Sequence, residues 1–548
     1  MLLLLQLLLL AAPAVQALSF GSMFGRGAVL QQGVPVAVWG SSSASGRAVE
    51  LALDGKPVAK ASVQADGSWS AQLPPQPTSW GRTLSASDAS GGTAHAEVRF
   101  GAVVLCSGQS NMQMPVHHWD PCCDQPPAAR DPEHRCSCFA ASNGSAEVAA
   151  AGRYTDKISL TSLQTPFPKP PGWRGDNCPY PWVNASCMSY PMWNEALPGA
   201  NGTVHGFSAL CWYTGVALYQ QLAGAVPVGL LAGSVGGSPI EFWLPLGHVN
   251  STAACGVDDP PCDPGGPNGY TDSEFFERLI QPFAPYTVGA VVWDQAERDV
   301  HCLPTNGVPN PTENTVSRYA CMEKQLVDSW RAEFNSSFAF VAIQLPGYLG
   351  DCGTYEQCLR NVFPMRLQQE RPLLADPASE VCATYDLSCP FGVKTDLCPF
   401  GSVHNVNKRP IGARVAAQLR RLMLKQSLVT EGPRVASVRA ERAGSGSLVT
   451  VRFTGTAPFE LAGTQNCAVC CGAGNPASND FDASSDGLSW TNSTGGARLT
   501  ADGLGVAFHV PLAQPTHVRY TANQAMPQCA LYSQERLPAL PFVHKLKL

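Results

Sequence analysis

Four short segments of this chain carry residues whose types and order suit acyl transfer. The first, Gly101 to Met112, reads GAVVLCSGQSNM. An apolar run ends there in Ser107-Gly108-Gln109-Ser110-Asn111. The loop past the carboxyl end of a parallel strand is where ligands bind, and a serine held there can present its hydroxyl and aim its own N–H at a developing oxyanion. An ordinary polar turn is the competing reading. The second segment, GSVGGSPIEFW from Gly233 to Trp243, also follows an apolar run. Paired glycines such as Gly236 and Gly237 let backbone N–H groups approach a ligand closely. The third, VVWDQAERD from Val291 to Asp299, places Gln295 as a side-chain oxyanion donor. Glu297 would bind sugar hydroxyls or orient a neighbour, unless this is only a surface ion-pair cluster with Arg298. The fourth, GSVHNVNKRPIG from Gly401 to Gly412, sets His404 just before an amphipathic stretch. A histidine beside a serine is the usual proton acceptor. His301 is a rival base.

These residues need rigid elements around them. From about 101 to 425, GAVVLCSG, VPVGLLAGS, VGAVVWDQ and FAFVAIQLPGY read as buried strands, continuous rather than alternating as in parallel sheets. Helical stretches lie between them. FSALCWYTGVALYQQLAG is one; NKRPIGARVAAQLRRLML is another, with Ile411, Val415, Leu419 and Leu422 on one face. The series predicts an α/β domain over 101–425. Residues 115–205, rich in Cys, Pro, Gly and Trp, read as an insertion braced by disulfides. Residues 18–100 carry short β-rich runs with hairpin signals at Asp54-Gly55 and Asp66-Gly67, which predicts a β-sandwich-like domain. Residues 430–548 return to β-type runs.

The chain has 548 residues, 14% of them charged, and a net charge of −6. No basic run argues for nucleic acid. Residues 1–17, MLLLLQLLLLAAPAVQA, read as a signal peptide, with Val15 and Ala17 at the positions a signal peptidase recognises. The run is short for a membrane span, so no stable membrane insertion is expected. The 21 cysteines fit an oxidising compartment, and N-glycosylation sequons begin at Asn143, Asn184, Asn201, Asn250, Asn335 and Asn492. His117, His118, Cys122, Cys123, His134, Cys136 and Cys138 hint at zinc, but adjacent cysteines in a secreted chain more often form disulfides.

Together the four segments resemble the sialate O-acetylesterase family, among the SGNH hydrolase-like esterases. GQSNM resembles the family's nucleophile motif, so Ser110 matches the nucleophile. Val226 to Trp243 resembles its double-glycine stretch. WDQAERD at Trp293 to Asp299 resembles W-Y-Q-G-E-S-N. VHNVNKRPIGAR at Val403 to Arg414 resembles its terminal histidine stretch. AVLQQGVPVAVWG and the closing LPALPF also resemble family segments.

The resemblance implies a three-layer α/β/α SGNH hydrolase-like domain with a mainly parallel sheet. It implies hydrolysis of acetyl esters on sialic acid, with Ser110 attacking and His404 carrying the proton. The oxyanion would be met by the Ser110 N–H, Gly236 or Gly237, and Gln295, with Asn111 among the same substrate-side residues. No metal or organic cofactor is implied; the partner is an O-acetylated carbohydrate, met outside the cell or in lysosomes. The chain departs from the pattern in places. Ser402 and Gly401 stand where the acid that orients the histidine is usual. Asp396 is the nearest upstream acid, while Asp386 falls on the preceding strand. A backbone carbonyl could orient the ring instead, leaving a Ser–His dyad. Ala296 replaces a glycine and Asp299 an asparagine. An esterase acting on another acetylated polysaccharide, or a glycan-binding protein with a decayed site, stays open.

Overall fold

The computed structural model describes residues 18–116, 144–162, 193–199, 203–249, 272–301, 317–347, 355–387, 403–404, 408–455, 458–463, 480–522 and 529–546. Most of the Cys-rich stretch, the histidine and cysteine cluster at 117–138, and Asp396 lie outside them.

Among the described residues, a mixed sheet of eleven strands organises the fold. Its parallel part runs in the order Ile158–Ser162, Val228–Ser234, Thr93–Gly108, Ala290–Asp294, Ala339–Ile343 and Ser379–Cys382. The Thr93–Gly108 strand, hereafter the serine strand, lies in the middle. Successive strands are laid down first on one side of it and then on the other. Its carboxyl end is therefore a topological switch point, where the connections diverge and leave a crevice.

Side chains along these strands alternate between two apolar cores. Val103, Leu105, Val291 and Trp293 face one; Ala102, Val104, Cys106 and Val292 face the other. Burial on both faces explains why the strands read as unbroken apolar runs. The first core includes Met322, Leu326 and Trp330 of the helix Ser317–Glu333. The second includes Leu210 and Trp212 of the helix Ala209–Gln221, and Ile411, Val415 and Leu419 of the helix Lys408–Leu422. The latter, hereafter the histidine helix, has Pro410 in its first turn and Arg420 and Arg421 in its last, both placements that suit helix ends. Ser208 caps the Ala209–Gln221 helix by accepting the Cys211 N–H at 3.2 Å. Cys106 and Cys211 form a disulfide between the serine strand and this helix.

Two β-rich regions adjoin the parallel strands, the first of them sharing the same sheet. In the first, the HAEVRF and GAVVLCSG runs are one continuous strand of 16 residues rather than two. Its first half pairs with Ala28–Gln31 and Ser79–Asp88, its second half with the parallel strands. Gly101, at the expected break, is not a turn: a Cβ there would lie 2.0 Å from the Pro227 carbonyl oxygen, so it permits close approach of two backbones. The second region, from Arg434 on, contains among its described residues antiparallel sheets of four, four and two strands. Among the described residues no helix is long and apolar enough to cross a membrane.

Candidate active site

The nucleophile loop is shaped by Gly108, whose φ of +134° suits glycine. A Cβ there would lie 2.0 Å from the Asp294 carbonyl oxygen. That same oxygen accepts the Gln109 N–H at 2.9 Å, so the loop leans directly onto the neighbouring strand. The chain then enters a short helix, Ser110–Gln113, with Ser110 half-buried at its start and Asn111, Met112 and Gln113 buried.

His404 arrives from the other end of the chain. Its Nε2 lies 2.9 Å from Ser110 Oγ, a hydrogen-bonding distance. Two residues 294 positions apart thus meet at the switch point. Asp396, the expected orienting acid, lies outside the described residues. Asp386 sits in the turn Tyr385–Leu387 and holds Arg414 through paired bonds of 2.8 and 2.6 Å. His301 ends the short helix Glu297–His301, and its side chain lies outside the described residues.

The remaining candidates surround the pair in different ways. Gly236 is exposed, and a Cβ on it would come within 3.2 Å of Ser110 Cβ. Its N–H donates to Gln113 Oε1 at 2.6 Å. Gly237 has a φ of +72° and open space where a Cβ would stand. Gln295 is fully buried; its Nε2 lies 3.0 Å from the Ser238 carbonyl oxygen, 3.2 Å from Gln109 Oε1, and also donates to Asp299. Its amide hydrogens are engaged in the floor of the site. Asn111 is buried as well. Its Nδ2 donates to the Val403 carbonyl at 2.9 Å and to Glu297, and its Oδ1 accepts from Lys408 at 2.7 Å. Both ends of this amide face inward.

Sequence reading passed over Asp294, Lys408 and Gln109. Lys408 Nζ lies 3.9 Å from Asp294 Oδ2, and both residues are buried. With one ammonium between two carboxyls, the cluster cannot keep both acids charged cheaply. Burial pushes Asp294 up to about 6, against the pull of Lys408. Burial, then repulsion from Asp294, pushes Glu297 up to about 8. Burial draws the Lys408 ammonium down, opposed by both acids. Asp299 is held well above the usual carboxylate range by burial and by Glu241. All three lie inside motifs quoted from the sequence, Gln109 in GQSNM, Asp294 in WDQAERD and Lys408 in VHNVNKRPIGAR, but nothing local marks them as members of one buried cluster. Among the described residues no group of three or more His, Cys, Asp or Glu is arranged to hold a metal ion.

No protein-family model matches the chain. Curated relatives include the sialate O-acetylesterase of Rattus norvegicus, 27% identical over 392 residues, covering 62% of this chain and 59% of that one. The sialate O-acetylesterase of Homo sapiens is 27% identical over 361 residues, covering 62% and 56%. The chain thus spans less than two thirds of the length of the relatives it matches. A solved carbohydrate acetylesterase from Xanthomonas citri superposes with a TM-score of 0.67 at 21% identity, covering 97% of this chain and all of that one. That likeness establishes a shared fold.

Proposed function

We propose that this chain is a secretory-pathway serine esterase that removes O-acetyl groups from sialic acids and releases acetate. The 2.9 Å contact between His404 Nε2 and Ser110 Oγ, at the switch point of a parallel sheet, carries the reading. The sequence relatives named for sialate O-acetyl hydrolysis support the substrate class. The sheet with helices against both its cores fits a three-layer SGNH hydrolase-like domain. The Cys106–Cys211 disulfide and the exposed sequons at Asn335 and Asn492 favour the secretory route that residues 1–17 suggest.

Ser110 Oγ attacks the acetyl carbonyl while His404 Nε2 takes its proton. The tetrahedral oxyanion is met by backbone N–H groups of Ser110 and the Gly236–Gly237 turn; Gly236 serves once the Gln113 oxygen yields its place to the substrate. His404 then protonates the departing sugar oxygen as the carbonyl re-forms, leaving acetyl-Ser110. A water, deprotonated by His404, splits that ester to acetate and free serine. Gln295 stiffens the floor through its bonds to Ser238 and Asp299.

The test is acetate release from an aryl acetate and from O-acetylated sialic acid, for the parent and Ser110→Ala. The expected result is turnover of both by the parent and a loss of roughly a thousandfold or more in the variant. Turnover of the aryl ester alone would move the substrate to another acetylated carbohydrate. A folded parent inert on both would favour glycan binding without catalysis.

A further inference from the structure

The double-glycine turn is pressed against the nucleophile. A Cβ on Gly236 would stand 3.2 Å from Ser110 Cβ and 3.5 Å from Ser110 Cα. Whatever sets the shape of this turn therefore sets where its N–H groups stand relative to a carbonyl under attack by Ser110. Glycine is the residue with the most backbone freedom, so two in a row need outside restraint. The bond from the Gly236 N–H to Gln113 Oε1 cannot supply it throughout, because that bond is given up when the N–H turns to an oxyanion. The flanking residues do. Before the glycines, the Val235 N–H donates to the Gly108 carbonyl at 3.0 Å and fastens the turn to the nucleophile loop. After them stands Ser238, which is 1% exposed.

The Ser238 hydroxyl lies 2.9 Å from Trp243 Nε1 and 2.7 Å from the Val235 carbonyl oxygen. An indole N–H only donates and a carbonyl only accepts, so the direction of both bonds is fixed. Trp243 donates to Ser238 Oγ, and the Ser238 hydroxyl donates to Val235. The second bond spans the turn from its last residue to its first, across both glycines. The Ser238 carbonyl accepts from Gln295 Nε2 at 3.0 Å, so main chain and side chain are held separately. Trp243 is itself well anchored. It is fully buried, its ring packs edge-on against Trp293 with centroids 5.6 Å apart, and its carbonyl accepts the Trp330 indole N–H at 2.9 Å. None of these bonds involves Ser110 or His404.

We propose that Ser238 is a positioning residue. With Trp243 orienting its hydroxyl, it clamps the Gly236–Gly237 turn in the shape that meets the oxyanion of an ester attacked by Ser110. The proposal rests on the esterase reading for the chemistry that the turn serves.

Two variants separate positioning from structure. Ser238→Ala removes the clamp, and Ser238→Thr keeps a hydroxyl on the same carbon. Expected for folded Ser238→Ala is a kcat for an aryl acetate lowered about 10- to 100-fold with KM unchanged, the scale of a reacting group displaced by an ångström. Binding of phenylboronic acid, whose tetrahedral adduct on a serine puts an oxygen in the oxyanion's place, should weaken by the same factor. Ser238→Thr should recover most of both. A crystal structure of Ser238→Ala should show the Gly236–Gly237 turn displaced from Ser110. Parental boronate affinity in Ser238→Ala, a turn unmoved in that crystal structure, or equal losses in a folded Ser238→Thr would overturn the proposal. The boronate titration and the crystal structure need no sugar ester. If the parent releases no acetate but binds the boronate in a Ser110-dependent way, the esterase reading fails while these two measurements still decide the positioning claim.

Discussion

Ala296 adopts a φ of +128°, a region that glycine enters freely and a Cβ resists. It sits between fully buried Gln295 and buried Glu297. The carbonyl of Gln295 is held by Gln369 Nε2 at 3.0 Å, and Gln295's side chain by three acceptors, so the surroundings impose the conformation. Such strain costs on the order of 1–3 kcal/mol, of which glycine's extra chain entropy would take back part. Ala296→Gly should therefore raise the melting temperature by about 2–4 °C, read by calorimetry. Glu297 gives a second prediction at this scale. Its folded carboxyl is raised to about 8, so the folded state keeps a proton that the unfolded chain releases near pH 4.5. Stability from this group is full below the unfolded value and falls as pH rises toward 8. Between pH 5 and pH 8 the parent should lose on the order of 3–4 kcal/mol more than Glu297→Gln. Equal losses in urea titrations at the two pH values would show that Glu297 is ionised throughout.

Elements place the dyad by close packing of backbones. The histidine helix crosses Ala209–Gln221 at Gly412, where a Cβ would stand 2.7 Å from the Thr214 nitrogen and the Tyr213 carbonyl carbon. Backbone cannot give way as a flexible side chain can. Gly412→Ala should push the helix outward, cost about 1–3 kcal/mol, and carry Lys408 and the His404 loop with it. Denaturant midpoints should fall, and kcat should fall further than the folded fraction explains. Normal kcat in the folded fraction would show that the loop is set independently of the helix.

At the scale of the whole molecule, the carboxyl-terminal β-rich region is tied to the sheet by a buried polar network. Tyr532 donates to Asp386 at 3.0 Å, and Tyr385 donates to the Ala539 carbonyl at 2.8 Å. Asp386 also neutralises Arg414 of the histidine helix, which bonds the Ala383 carbonyl at 2.7 Å. One carboxylate thus joins the turn after the strand Ser379–Cys382, the histidine helix and the terminal region. Asp386→Ala leaves the Arg414 charge uncompensated in the interior, a loss of about 3–5 kcal/mol. Limited proteolysis should then cut between the sheet and the terminal region much faster than in the parent. Unchanged proteolysis would mean that apolar contacts hold the terminal region in place.

The sequence by itself determined the parallel sheet, the amphipathic histidine helix and the four loops. Burial on two faces leaves unbroken apolar runs, and burial on one leaves a helical stripe such as Ile411, Val415, Leu419 and Leu422. It offered Ser110 in a polar loop after an apolar strand and His404 before an amphipathic helix, and it was the family resemblance that chose them over an ordinary turn and a surface histidine. Only the tertiary structure brought them to 2.9 Å across 294 positions, paired Cys106 with Cys211, and drew HAEVRF and GAVVLCSG into one strand. It alone showed Asn111 turned inward and Lys408 and Asp294 buried beneath the dyad. A charged residue looks the same in sequence whether it meets water or a partner. Its burial is decided by segments far away in the chain, and those meet only when the fold closes.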